Sequence, residues 1–279
     1  MLCRISIGAI AAAAALSMTI GAAQALDESK YPDFSSQWIR IGGVQWDPSK
    51  PQSRGQQAPL TPEYQAIFDA SLAAQAAGGH GNDLRFTCRT SGMPRIMTAV
   101  YPIEIIIQPN ITYILSEYVM PRRIYTDGRT RPEIVEPAFA GYSTGKWIDE
   151  DGDGRYDVLE VETRGFKGPR AFDETGLPLH VDNQSIFKER IWRDKADPNI
   201  LHDEITTIDH ALTRPWTVDK RYVHNPNPHP DWIEFYTTEN NAQIAIGKEN
   251  YFLSGDGLLM PAKKNQAPPD LRYFQPARK

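Results

Sequence analysis

The chain has 279 residues, a formal net charge of −5 at neutral pH and two cysteines. No block of basic residues stands out, which argues against nucleic acid as a partner, because phosphate backbones are bound by clustered cations. Beyond the N-terminal region there is no second long apolar stretch, so no membrane span is expected in the mature chain.

The first 25 residues read as a secretory signal. Arg4 is followed by an apolar, alanine-rich run over residues 5–20, and Ala23-Gln24-Ala25 has the small-x-small pattern of a cleavage site. We expect cleavage before Leu26 and a periplasmic or secreted mature protein; the alternative is an uncleaved anchor helix. Cys3 leaves with the signal, and Cys88 is interpreted as a buried thiol in preference to a reactive nucleophile.

Residues 26–86 are predicted to form an irregular N-terminal arm followed by one helix. Thr61 before Pro62 is typical of a helix start, because threonine caps free amides and proline tolerates the first helical position. We expect the helix to end near residues 78–79. Its predicted apolar face comprises Tyr64, Ile67, Phe68 and Leu72.

Residues 87–260 are predicted to form the main domain, ahead of an extended tail at residues 261–279. Short β-branched and aromatic segments alternate there with turn residues, over 103–107, 111–118, 122–125, 156–163, 185–193, 200–209, 216–223 and 232–238. The pattern predicts a mainly β fold, a closed antiparallel barrel of about eight strands. A barrel of that size has room for one small ligand.

An acidic loop has the ligand spacing of a calcium site. Numbered from residue 149, carboxylates stand at positions 1, 3, 5, 9 and 12, with glycine at 6 and a backbone carbonyl at 7. The predicted ligands are Asp149, Asp151, Asp153, Arg155, Asp157 and Glu160. The alternative is a solvated hairpin turn in which the Asp-Gly pairs supply positive φ.

A second cluster surrounds an arginine-rich turn. Arginines that present rigid paired donors are candidates to bind substrate: Arg122, Arg123, Arg129 and Arg190. Tyr125 and Asp127 lie in the same turn and are candidates for proton transfer. The structural alternative is that Asp127 begins a turn and that the arginines pair with nearby acids.

Strand alternation adds two acids to the candidate catalytic residues. Glu117 shares its face with apolar residues of 111–119, and Glu189 shares its face with Phe187 and Ile191. Acids on an apolar face indicate either an internal ion pair or an acid–base group with a raised pKa. His210 is the histidine selected as a candidate proton carrier, with a surface turn as the alternative; the histidines show no zinc spacing.

Several of these motifs together resemble a family of exported bacterial proteins with an RRIYTDGR-type motif and a calycin-like, or lipocalin-like, β-barrel. The matching pieces cover residues 92–95, 123–129, 145–147, 189–190 and 213–216. The resemblance implies the barrel fold more than an activity. The chain departs from the family pattern at Arg131, where a histidine is usual, and at the acidic loop, which replaces a short turn.

The leading functional hypothesis is a periplasmic barrel that binds a small hydrophobic or aromatic molecule in its interior. It would act as a lyase or isomerase without a catalytic cofactor, a carboxylate or tyrosine moving the proton while arginines stabilise negative charge. The alternatives are a non-catalytic carrier and an envelope interaction protein that Ca²⁺ stabilises.

Overall fold

Nine antiparallel and parallel strand pairings close a barrel. The computed structural model describes residues 26–42, 57–79, 81–84, 90–117, 119–133, 136–233, 243–246, 249–253 and 258–268; the predicted signal and Cys88 lie outside them. In chain order the barrel strands are β1 (Gln37–Ile41), β2 (Ile103–Gln108), β3 (Ile111–Ser116), β4 (Val119–Tyr125), β5 (Tyr142–Ile148), β6 (Val158–Arg164), β7 (Ile186–Arg193), β8 (Ile200–Ile208) and β9 (Trp216–His224). Each strand pairs with its neighbour in sequence, and β1 closes the ring against β9. The predicted mainly β closed barrel is confirmed.

The first strand comes from the segment that we expected to be an irregular arm. β1 pairs with β9 over four residues and with β2 over two, so it seals the barrel. Its Trp38 is fully buried, and the indole Nε1 donates to the carbonyl oxygen of Phe34 at 3.0 Å. The burial of this aromatic side chain explains why a short, polar segment forms a strand here.

One pairing departs from the expected antiparallel meander. β4 and β5 run parallel and share two residue pairs, Ile124 with Ser143 and Tyr125 with Thr144. Two parallel neighbours require a connection that returns along the sheet. The first part of the connection brings Gly128 and Arg129 over the outside of the barrel.

The main helix begins as predicted. Helix α1 (Pro62–Ala76) has Thr61 as its N-cap, whose side chain accepts from the amide of Tyr64 at 3.4 Å. The predicted apolar face is only partly correct: Tyr64 and Phe68 are buried, whereas Ile67 and Leu72 are each 40% exposed. Ser71 takes the inward position instead, and its hydroxyl donates to the carbonyl oxygen of Thr175 at 3.3 Å.

A short helix and a long loop close one end of the barrel. Helix α2 (Arg95–Thr98) is buried along its whole length. Arg95 holds it in place, because its guanidinium lies 2.5 Å from a carboxylate oxygen of Glu174 in the loop between β6 and β7. At the opposite end Tyr31 and Phe34 pack against Trp147, with ring centroids 5.3 and 5.8 Å away.

A small sheet completes the described part of the chain. It is antiparallel and has three strands, β10 (Gln243–Ile246), β11 (Glu249–Leu253) and β12 (Leu259–Pro261). The predicted strand at 232–238 lies largely outside the described residues, and 232–233 are not in a strand. None of the described helices is both long enough and apolar enough to cross a membrane.

Candidate functional site

A cleft of about 670 Å³ lies on the outer wall of the barrel. It forms where the β4–β5 connection passes over the outward side chains of β5 to β8. Its lining comprises Gly128, Arg129, Thr144, Gly145, Lys146, Glu160, Val161, Glu162, Lys188, Glu189, Arg190, Glu204 and Thr206. The cleft thus contains two of the four arginines predicted to bind substrate.

Arg129 forms one wall of the cleft and is held in one position. Its guanidinium makes a paired contact with Asp127, with Nε–Oδ2 at 2.8 Å and Nη2–Oδ2 at 2.5 Å. It also lies over the ring of Tyr125, 4.2 Å from the centroid, and that ring stacks on Tyr142 at 5.0 Å. The predicted residues Tyr125, Asp127 and Arg129 therefore form one unit.

Asp127 and Arg129 each shift the pKa of the other towards the charged form. The hydrogen bond from Arg129 lowers the pKa of Asp127. Hydrogen bonds to Asp127 and Tyr142 raise the pKa of Arg129 further above its ordinary value. Asp127 is thus an ionised partner of Arg129 at neutral pH, an arrangement that fixes a cation and disfavours proton transfer by this carboxylate.

The floor of the cleft carries charges of both signs. Lys146 Nζ lies 3.0 Å from a carboxylate oxygen of Glu160, and Arg190 Nε lies 3.8 Å from the other oxygen. Arg190 also pairs with Glu150 at the rim. Because these side chains are exposed, each pair contributes little to stability, typically below about 1 kcal/mol. Their donors and acceptors remain accessible to a polar ligand.

Glu189 is part of the cleft wall only through its backbone. Its side chain points into the barrel with those of Phe187 and Ile191, all of them buried. Its carboxylate pairs with the guanidinium of Arg122 through two hydrogen bonds, the Nη1–Oε1 bond being 2.7 Å long. The exposed fractions of the two side chains are 1% for Arg122 and 0% for Glu189.

The Arg122 guanidinium is further fixed by hydroxyl groups. Nη2 donates to Thr163 Oγ1 at 2.9 Å, and Nε donates to Ser143 Oγ at 3.4 Å. Removing one member of a buried, hydrogen-bonded pair typically costs about 3–5 kcal/mol, because a charge is left buried without its partner. The geometry therefore favours the internal ion pair over the acid–base interpretation of Glu189.

Side chains fill the barrel around this pair. Ile114, Ile124, Leu159 and Ile205 have an exposed fraction of 0%, which leaves no space beside them for even a water-sized molecule. The expectation of a hollow that admits a ligand is therefore not met at this level of the barrel. The cleft of about 670 Å³ lies outside the wall.

A carboxyl group in the interior has no hydrogen-bonding partner among the described residues. Asp203 points inward from β8, opposite Lys220 on β9, and in this part of the chain neither of its side-chain oxygens has a hydrogen bond. Desolvation raises its pKa well above the ordinary value, and repulsion by Glu189 adds to the shift while Arg122 opposes it. The alternation of residues 200–208 predicts that the side chain of Asp203 points inward, but Asp203 was not among the predicted site residues.

Two other predicted residues lie away from the cleft. Glu117 is in the turn after β3, where it accepts from the amide of Ile233 at 3.2 Å. The inward residues of β3 are Thr112, Ile114 and Ser116, so the face assigned to Glu117 is the outer one. Arg123 is exposed on the outside of β4, 5.5 Å from the ring centroid of Tyr113.

The acidic loop brings together three of its predicted calcium ligands. Oxygens of Asp149, Asp151 and Asp153 lie within 4.8 Å of one another. Arg155 follows them, and its amide donates to Asp153 Oδ1 at 2.8 Å. Asp157 accepts from the amide of Glu150. The sixth predicted ligand, Glu160, lies on β6, where its carboxylate pairs with Lys146.

Four charged groups of the cleft were missed from the sequence. Lys146, Glu162, Lys188 and Glu204 lie at outward positions of four adjacent strands, β5 to β8. Strand alternation could have marked each of them as outward, but only the strand order shows that they share one surface. Comparison of the chain with family models, with curated proteins and with solved structures found no match. The resemblance to an exported family therefore stays a prediction.

Proposed function

We propose that this protein is an exported barrel that binds a small, polar, charged molecule in the outer cleft. The observation that carries the proposal is Arg129, which Asp127 and Tyr125 fix at the edge of a cleft of about 670 Å³. A cation that is already immobilised loses little side-chain entropy when a ligand binds. This differs from the expected hydrophobic or aromatic ligand of the interior.

The lining indicates the chemistry of the ligand. Arg129 and Arg190 offer planar paired donors, which match the geometry of a carboxylate. Glu162 and Glu204 offer acceptors for hydroxyl or ammonium groups on the other side. A small molecule that combines at least one carboxylate with hydrogen-bond donors fits this arrangement best.

The same contacts favour binding over turnover. Glu189 is locked to Arg122 inside the barrel, and Asp127 is held ionised by Arg129. Tyr125, the remaining candidate of this unit, packs its ring against Arg129 and so supports that cation. A carrier that returns its ligand unchanged is therefore the form of the proposal that we adopt.

A retention experiment tests the proposal. Purified protein beginning at Leu26 is mixed with a metabolite extract, desalted and denatured, and the released molecules are identified by mass spectrometry. We expect one or a few retained molecules that bear a carboxylate and return with unchanged mass. Arg129→Ala and Arg190→Ala should each reduce the retained amount about tenfold or more, the usual effect of losing a charged hydrogen bond.

Arg123→Ala is the matched control, because Arg123 is an exposed arginine that does not line the cleft. It should retain as much as the unaltered protein. Equal retention by the Arg129→Ala and Arg190→Ala variants would remove the cleft from the proposal. A retained molecule that returns with an altered mass would favour the lyase or isomerase hypothesis.

A further inference from the structure

Two histidines and an aspartate lie together at one end of the barrel, although one of the histidines is far from the other two residues in the sequence. His180 and Asp182 lie in the loop between β6 and β7, and His210 follows β8. Nδ1 of His180 is 2.9 Å from Asp182 Oδ1, and Nδ1 of His210 is 2.6 Å from Asp182 Oδ2. One ligand atom from each residue lies within 4.8 Å of the other two.

A single buried carboxylate positions both histidines. Asp209 Oδ1 accepts from the amide of His180 at 2.9 Å and from the amide of Ala211 at 2.8 Å. The backbone on either side of the cluster is therefore tied to the same oxygen atom. The ring of Tyr64 also packs against His180, with centroids 5.3 Å apart. The cluster is thus organised by the fold and is not a chance meeting of surface side chains.

We propose that His180, Asp182 and His210 bind a divalent first-row transition metal of the zinc class. Tetrahedral zinc with ligands at about 2.1 Å places neighbouring ligand atoms about 3.4 Å apart. The two contacts of 2.9 and 2.6 Å need to lengthen, and the widest separation in the cluster, at most 4.8 Å, needs to shorten. His210 can move to allow this, because its side chain is 69% exposed. Two imidazole nitrogens select zinc, cobalt, nickel or copper over calcium or magnesium.

Three protein ligands leave the remaining coordination position to solvent. His210 and Asp182 are both exposed at the surface, which gives water or a small anion access to the bound ion. Open three-ligand sites differ from structural zinc sites, which are closed by four protein ligands. None of the three residues lines the outer cleft, so this site is independent of the proposed function.

Metal titration of the untagged protein from Leu26 onward tests the inference. Co²⁺ is added in a buffer with excess Ca²⁺ and Mg²⁺, which occupy oxygen-rich sites, and the visible absorption of bound Co²⁺ reports nitrogen ligation. Zn²⁺ then displaces the Co²⁺ and gives the affinity. We expect one metal ion per chain, and His180→Ala and His210→Ala should each weaken binding at least tenfold.

His229→Ala is the control, because His229 is an exposed histidine outside the cluster, and it should bind like the unaltered protein. If His180→Ala fails to fold, the test relies on His210→Ala. That variant should fold, because the His210 side chain is exposed at the surface. The inference is overturned if the protein binds neither metal at micromolar concentration. It is equally overturned if His210→Ala binds as tightly as the unaltered chain.

Discussion

Two carboxyl groups inside the barrel differ in their hydrogen-bonding partners. Glu189 forms hydrogen bonds with Arg122, whereas neither oxygen of Asp203, on the next strand, has a hydrogen bond within the described ranges. A buried carboxyl group without partners is least costly when it is protonated. Asp203 therefore links the stability of the barrel to pH.

The replacement Asp203→Asn tests this link. The pKa of Asp203 is raised by desolvation, so its contribution to stability is fully present below the pKa of the unfolded chain, near pH 4, and is lost as pH rises through the folded value. We expect unfolding by urea to show that the variant gains stability relative to the unaltered protein from pH 5 to pH 8. The gain should approach about 1.4 kcal/mol per pH unit at most.

Asp69→Asn serves as the control, because Asp69 is an exposed carboxylate on helix α1. Its difference from the unaltered protein should not change with pH over the same range. A constant difference for Asp203→Asn would show that Asp203 is ionised in the folded protein, contrary to the pKa that desolvation raises.

At the scale of residues, strand alternation predicted some of the site and missed the rest. It placed Glu189 on the inward face with Phe187 and Ile191, and the structure confirms that face. It failed for Glu117, because the face of Tyr113 and Leu115, to which Glu117 was assigned, is the outer face of β3, and Glu117 itself lies in the turn after Ser116. Alternation gives the face of a side chain within a strand, but its partner, here Arg122, depends on which strands become neighbours.

At the scale of elements, strong local signals were sufficient for most strands. The segments that became β2, β3, β7, β8 and β9 are rich in β-branched residues and begin within one residue of the predicted positions. β1 and β5 are absent from the eight segments predicted as strands, as are β10 to β12. β1 is stabilised by pairing with β9, at least 180 residues away, and β5 contains Gly145, whose position tolerates no side chain without a shift of Ile124.

The acidic loop is the element whose predicted ligand remains to be tested. Asp149, Asp151 and Asp153 converge, but Lys195 already lies 2.9 Å from an oxygen of Asp151. Calcium binding requires that this lysine moves away. We expect Ca²⁺ to raise the melting temperature by a few degrees and a chelator to reverse the rise, since an ion that binds only the folded state stabilises it.

The double variant Asp151→Ala, Asp153→Ala should lose the response to Ca²⁺, while Asp69→Asn should keep it. Differential scanning fluorimetry with Mg²⁺ as a second ion measures the effect and its selectivity. If Ca²⁺ does not shift the unaltered protein, the loop is a solvated hairpin turn in which Gly152 and Gly154 supply positive φ.

At the scale of the whole molecule, one parallel pairing produces the candidate site. Because β4 and β5 are parallel, their connection returns along the outside of the barrel and carries Asp127 and Arg129 over the outer wall. The sequence predicted the barrel, and the unusual composition of this turn indicated a candidate site. It gave no indication of the crossover, which depends on strand pairing between distant segments, and so the ligand was expected inside.

The most direct test of the outer cleft is a lysine footprint. The protein is acylated with and without its retained metabolite, and peptides are quantified by mass spectrometry. Lys146 and Lys188 line the cleft and are 69% and 57% exposed, while Lys195 lies outside it and is 64% exposed. The outer cleft predicts several-fold protection of Lys146 and Lys188 with Lys195 unchanged; equal labelling of all three lysines in both samples would contradict it.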